Sequence, residues 1–585
     1  MFRKILGFSA LAMLLPAALS AQAPVSAGCG SYAPTLPTYK AWTSDHGGVN
    51  ATYSMTRKYY VDETDRDGNP RPIPTNDWWT DVINNRFSEG GGALWSYPAM
   101  VRANSDGFQI SYPTYWQADG GEVRAATWVK VGGEEFQPVE SRATDWHDWD
   151  VEVTLPDRSG SRRLTATLVH GQPFTWVESD GVTFSLTFSS QPEIIRRDAT
   201  GVLLALSGRE NHNTNPTAER TDYYAIYCAD GSVAEIDEDG AMRLAGATWV
   251  SVGLLPDAAS FERYAAYGAS IVRDTRVSWS YSESTGELKT TWDVTAENLR
   301  DAGEPAPVMQ GFLPHAYKYA LNPSALINTA DTYLTPRGLM KMAASDAGSF
   351  GYSCRFYGML PYYARPSSGN LAAGNPADFD EETVRQLIKG YAERGTFGAD
   401  TYWGGKGLTQ MALNMTFARE MGYDDLYELS KKKLRERLED WFTYTPGESD
   451  SFFAYYPRLG GMLGFEVSYD SDSFNDHHFH YGYFLYAAAL LCLEDRDFAE
   501  GYGELLTMIA KDYANYDRTD KRFPFLRTLD PWAGHSYAGG MGDHGNDNGN
   551  GQESSSEAMQ GWAASICSAL RCTMMSCVTP ASSAG

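Results

Sequence analysis

The chain has 585 residues, 43% hydrophobic and 21% charged, with a formal net charge of −26. This is a globular profile long enough for two to four domains, and it excludes a disordered chain. So acidic a surface repels nucleic acid and anionic lipid, whereas a neutral polymer is not repelled. Aromatic residues make up 13%, with 16 Trp and 36 Tyr. That excess suits either aromatic-rich sheet cores or stacking on the apolar faces of sugar rings.

The N-terminus has the pattern of an export signal over residues 1–21. Arg3 and Lys4 precede an apolar run from Ile5 to Leu19, and Leu19-Ser20-Ala21 offers a small-residue cleavage site. Export to an extracellular or periplasmic location is the expectation. No later stretch is apolar and long enough to span a membrane. Seven Cys are widely spread, without the spacing of a zinc site or a disulfide framework.

Residues 30–300 are predicted to be a β-sandwich domain. Thr165–Val169, Val182–Phe188 and Val277–Tyr281 alternate with period two, and Asp/Gly turn signals separate such runs. Residues 301–378, rich in Pro, are expected to be a small mixed connector, with a further break at Pro366–Pro376. From about 379 the period becomes helical. Val384, Leu387, Ile388 and Tyr391 form one apolar stripe, Leu434, Leu438, Trp441 and Phe442 another, and Phe498, Tyr502, Leu505, Leu506, Ile509 and Tyr513 a third. Segments 402–421 and 477–494 are apolar all round, as inner helices would be. Strands followed by a block of helices predict an all-β and then an all-α domain. About six helices are expected over 379–570, in a toroid that is incomplete, with an irregular tail over 571–585.

Two stretches carry the chemistry. Phe474-Asn475-Asp476-His477-His478-Phe479-His480-Tyr481-Gly482-Tyr483 places Asp476 at a helix entrance, after Asp470 and Asp472. Carboxylates crowded together raise at least one pKa, which suits a general acid; an N-cap is the plainer role for Asp476. Gly551-Gln552-Glu553-Ser554-Ser555-Ser556-Glu557 sets two Glu four apart, sharing a face if the segment is helical. One Glu could deprotonate a water while the other orients it. Two separated carboxyl groups are what acid/base cleavage of a glycosidic bond requires. His477, His478 and His480 raise the alternative of a metal site, but no His-Glu-x-x-His pattern is present. Tyr402-Trp403-Gly404-Gly405-Lys406 and Asp530–Tyr537 fall between helical stripes, where cleft-lining loops belong. Asn76-Asp77-Trp78-Trp79 lies far off in sequence and reads as a packing element. Asp543–Gly551 is a polar loop without regular calcium-ligand spacing.

Taken together, Phe474–Tyr483, Gln552–Glu557, Trp532–Ala538, Tyr402–Lys406, Pro74–Trp79 and His170–Phe174 resemble glycoside hydrolase family 81 in the same order over residues 70–563. The resemblance implies a β-sandwich, a small connector and an (α/α)6-type catalytic domain, with inverting hydrolysis inside β-1,3-glucan chains such as laminarin and curdlan. It implies Asp476 as general acid, Glu553 as general base and Glu557 assisting, with carboxyls roughly 6.5–9.5 Å apart. Substrate contacts are expected from Tyr402, Trp403, Lys406, His480, Tyr483, Trp532 and His535. No cofactor, metal or covalent intermediate is implied, and a monomer is expected. In the family the helical domain continues well beyond the second acidic motif, whereas 28 residues follow Glu557 here. A non-catalytic β-glucan-binding protein or an inactive truncated homologue is therefore the alternative.

Overall fold

The computed structural model describes residues 23–36, 58–88, 92–117, 122–210, 218–229, 232–237, 240–356, 380–395, 397–540 and 549–576. The expected signal over 1–21, the Pro366–Pro376 break, most of the Asp543–Gly551 loop and the chain past 576 lie outside them.

Alternating sequences build two antiparallel sheets. One runs, in spatial order, Val233–Ile236, Met242–Ala245, Phe184–Phe188, Glu122–Gly133, Gly107–Gln117 and Met100–Asn104. The other runs Glu193–Asp198, Gly201–Glu210, Ala218–Cys228, Trp249–Leu255, Phe174–Asp180, Arg163–Val169, Asp150–Pro156 and Arg142–Trp146. Register aligns the apolar positions. Phe108 opposes Val131, which opposes Leu186; Val153, Ala166, Val177 and Val250 line up across four strands of the other sheet. All are buried in one continuous core, the Val, Leu and Phe side chains contributing about 1.5–3 kcal/mol each.

The expected boundary at 300 is not a structural one. Strand Ser349–Arg355, assigned from sequence to the connector, pairs with Glu287–Asn298 of the preceding hairpin. Burial explains this: Trp292 stacks on Tyr352 and packs against Phe312, and Phe312 meets Phe350. The start of the predicted β domain also crosses over. The amides of Ser31 and Ala33 donate to the carbonyls of Phe442 and Phe453 in the helical part.

Among the described residues the helical part contains six long helices: α1 (Glu381–Arg394), α2 (Thr401–Met421), α3 (Asp424–Trp441), α4 (His477–Glu494), α5 (Arg496–Ala514) and α6 (Ser555–Ser576). The stripes of α3 and α5 are buried almost as predicted, and α4 is buried nearly all round. In α1 the stripe narrows, for Ile388 is buried while Leu387 is exposed. Helix α6 runs to Ser576, so residues 571–576 are helical where an irregular tail was expected. Among the described residues no helix is long and apolar enough to cross a membrane.

Candidate active site

Helices α2, α4 and α6 meet through glycines. A Cβ on Gly561 would lie 2.3 Å from the His478 carbonyl oxygen, and one on Gly482 would lie 2.6 Å from the Gly561 Cα. A Cβ on Gly405 would come within 2.9 Å of the Tyr483 Cβ. These contacts let α4 lie directly against both neighbours. Tyr402 and Lys406, one turn apart on α2, then reach the same point as Tyr483 on α4.

That point is the Glu557 carboxylate. Its Oε1 accepts from the Tyr402 hydroxyl at 3.0 Å and from the Tyr483 hydroxyl, and Lys406 Nζ lies 3.1 Å away. Half-burial opposes the charge, but donors from Tyr483, Ser554, Lys406 and Tyr402 outweigh it and hold the carboxyl at a pKa of about 2. Glu557 is thus a fixed anion across the neutral range. Burial, together with Glu557, pushes the Tyr483 phenol far above its ordinary value. Lys406 also stands 4.1 Å from the Tyr402 ring centre. Trp403, next to Tyr402 with ring centres 5.2 Å apart, is 54% exposed and turns an aromatic face to solvent.

Asp476 is the residue before α4, half-buried and left-handed at φ 58°. Its side chain does not cap the helix, so the simplest structural role for it is not the one adopted. Its amide donates to the Ala538 carbonyl at 3.0 Å, and the Ala538 amide donates to the Gly551 carbonyl at 2.8 Å. One residue therefore ties the Asp476 stretch to the stretch that opens on Glu553. Glu553 is exposed and also left-handed, at φ 59°. It lies two residues before α6 begins, so it does not share a helical face with Glu557, as the four-residue spacing suggested.

The loop before Asp476 is held from behind. Asn76 donates to the carbonyls of Phe474 (2.8 Å) and Ala538 (3.2 Å), and the Gly540 amide donates to Asn475 Oδ1 at 2.7 Å. The fully buried Arg527 lies 4.4 Å from the Phe474 ring centre and donates to the carbonyls of Ile73, Leu459, Gly460 and Asp512 and to Thr75 Oγ1. Asp512 in turn bonds His477 Nδ1 at 2.6 Å, and His477 Nε2 meets the Ser471 carbonyl at 2.7 Å. Tyr469, Asp470, Phe474 and Asp476 all have left-handed backbone, a concentration that ordinary loops avoid.

The predicted residues therefore divide. Tyr402, Trp403, Lys406, Tyr483 and Glu557 come together, with His480 behind them. His480 is fully buried, its Nδ1 2.8 Å from Thr401 Oγ1, and burial lowers its pKa to about 3. Trp532 is displaced from the expected role. It is 1% exposed, stacked on Tyr97 and packed against His170, with Nε1 donating to the Gly311 carbonyl. It has no face left for a ligand. His535 is half-buried, its ring nitrogens engaged by Arg337 and the Ser536 carbonyl. Both belong to the seam between the β and helical parts, as do Trp78 and Trp79. Asn76 was singled out only as part of a motif, and Asp400, Asp512 and Arg527 not at all. The Asn76-Asp77-Trp78-Trp79 motif was a signal for the first, but nothing local marks the others. Among the described residues no group of three His, Cys, Asp or Glu converges as a metal site.

Residues 382–571 match the family model described as "Glycosyl hydrolase family 81 C-terminal domain". A glucan endo-1,3-beta-D-glucosidase of Thermobifida fusca is 31% identical over 554 residues, covering 92% of this chain and 67% of that protein. One of Acetivibrio thermocellus is 31% identical over 512 residues, covering 84% of this chain and 61% of the relative. The chain thus spans about two thirds of the length of these curated relatives. A solved structure of a glycoside hydrolase family 81 protein from Clostridium thermocellum, a point mutant, superposes with a TM-score of 0.78 at 27% identity, covering 93% of this chain and 71% of the other. The chain belongs to glycoside hydrolase family 81.

Proposed function

We infer that this protein is an exported, monomeric endo-acting hydrolase of β-1,3-glucan that works by inversion. The observation that carries the reading is the pair of hydrogen bonds at Ala538, which joins the Asp476 stretch to the Glu553 stretch beside the clamped Glu557. Similarity to glucan endo-1,3-beta-D-glucosidases supports the substrate class.

In this reading Asp476 gives its proton to the glycosidic oxygen as the bond from that oxygen to the anomeric carbon breaks. Glu553, exposed at the start of the second acidic stretch, takes a proton from a water. The resulting hydroxide attacks the anomeric carbon from the opposite face, so the β-linkage yields an α-hemiacetal. Glu557 stays ionised throughout and stabilises positive charge developing on the sugar. Trp403 offers the apolar surface on which a pyranose ring stacks. His480, buried behind Tyr402, positions the tyrosine rather than the sugar.

Reducing-end release from laminarin tests this. Asp476→Asn and Glu553→Gln should each lower kcat by about 10²–10⁴-fold with the fold intact. Full activity in both would sink the assignment. Retention on curdlan without sugar release by the unaltered chain would favour a glucan-binding protein instead.

A further inference from the structure

The acidic loop holds a second carboxyl that the reaction above does not use. Asp472 is 0% exposed, in the short 3-10 turn Ser471–Ser473, four residues before Asp476. Neither of its oxygens has a hydrogen-bond partner among the described residues; only the amides of Asp472 and Ser473 in its own turn point its way, without bonding geometry. A bare buried carboxylate costs several kcal/mol, and a protonated one far less.

Among the described residues nothing around it supplies a counter-charge. Asp470, on the same loop, is like-charged. Tyr481 on α4 is a buried neutral phenol accepting from the Gly464 amide. His477 on α4 is spent on Asp512 and the Ser471 carbonyl, and His480 faces Thr401. Asp400, before α2, accepts from Ser468 Oγ and the first amides of its helix. Arg527 has committed all five N–H groups elsewhere. Burial first, and Asp470 second, raise Asp472 to about 7.

We propose that Asp472 is a positioning residue, a neutral buried carboxyl under the loop whose ionisation dislodges the loop and with it Asp476. The loop is poised to respond. Four of its residues, Tyr469, Asp470, Phe474 and Asp476, already sit in left-handed conformations, which are strained for residues other than glycine. A charge forced into its packed underside adds to that load and is relieved when the strained residues relax. The proposal rests on the hydrolytic reading above, in which Asp476 must be held in place.

Two variants of the full chain, Asp472→Asn and Asp470→Asn, separate the outcomes. The first mimics the protonated carboxyl; the second removes the like charge, and asparagine tolerates left-handed backbone. Rates on soluble β-1,3-glucan and melting temperatures are measured from about pH 4 to about pH 9. The unaltered chain should lose activity as pH rises through about 7. Asp472→Asn should keep its acidic-side rate within roughly threefold and move the alkaline fall to higher pH, where only loss of the general acid's proton remains to cause it. Asp470→Asn should move the fall to lower pH, because the neighbour's repulsion is gone. Melting gives a readout independent of turnover. The folded pKa of Asp472 is raised above its unfolded value, so its stabilising contribution is full below about 4 and is lost as pH rises towards 7. The unaltered chain should therefore fall behind Asp472→Asn by several degrees across that window. Alkaline limbs that superpose on the unaltered profile, or a constant melting gap, would overturn the proposal while leaving the hydrolytic reading intact. Absence of sugar release from every form, with the melting gap still widening, would sink the hydrolytic reading and the role in it, leaving only the buried proton. Should Asp472→Asn fail to fold, the downward shift in Asp470→Asn decides.

Discussion

A single carboxylate oxygen receives two phenols and an ammonium at Glu557, and that arrangement sets what the residue can do. A carboxyl held at about pKa 2 is a weak base but a dependable anion. Lys406→Met removes the cation and a hydrogen bond that favours the ionised form, so Glu557 should titrate closer to the ordinary carboxylate range. Where protonation of Glu557 rather than of the base Glu553 sets the acid limb of the rate profile, that limb should move up, with the rate near neutrality changed much less. A pH–rate series on the variant checks this; an unmoved acid limb would mean that Glu557 does not govern it. The partners of Glu557 were visible in the sequence as tyrosines and a lysine in the polar-aromatic stretches expected near a cleft. That Glu553 and Glu557 do not share a helical face was not. The helix starts at Ser555 and Glu553 is left-handed, which a four-residue spacing does not disclose.

At the scale of elements, the site depends on how closely α4 approaches α6. Glycines inside helices read in a sequence as weak points. Here Gly482 and Gly561 mark the crossing. Gly561→Ala would place a methyl 2.3 Å from the His478 carbonyl, and the helices must part to admit it. We expect a loss of about 1–3 kcal/mol in stability, read from denaturant unfolding. The loss in kcat should be larger than the stability loss explains, because Glu557 lies one turn before Gly561 and moves away from Tyr483. Unchanged stability and rate would show that the crossing has slack. The helices themselves were legible from their 3.6-residue stripes. The Trp532 misreading has a plain cause: an aromatic residue in a polar stretch has the same sequence whether it faces a sugar or a domain seam, and only the packing of Tyr97 and His170 decides.

For the whole molecule, the change from period two to period 3.6 near residue 380 located the passage from sheets to helices. It could not show that Ser349–Arg355 completes a sheet begun before 300, or that residues 25–36 strap onto the helical part, since both pairings join residues far apart in the chain. The same holds for Arg527, which binds Ile73 and Thr75 to Asp512, Leu459 and Gly460 and so braces the Asp476 loop with β-side and helical-side groups together. The proposed acid and base thus come from separate stretches fixed by a common frame, and the reaction proposed for them has one stereochemical result. Proton NMR of a fresh digest of β-1,3-glucan, followed before the anomers equilibrate, tests this most directly. The account predicts that the first reducing ends are α. First-formed β ends would contradict it, because they require a covalent glycosyl intermediate in place of a water delivered opposite Asp476.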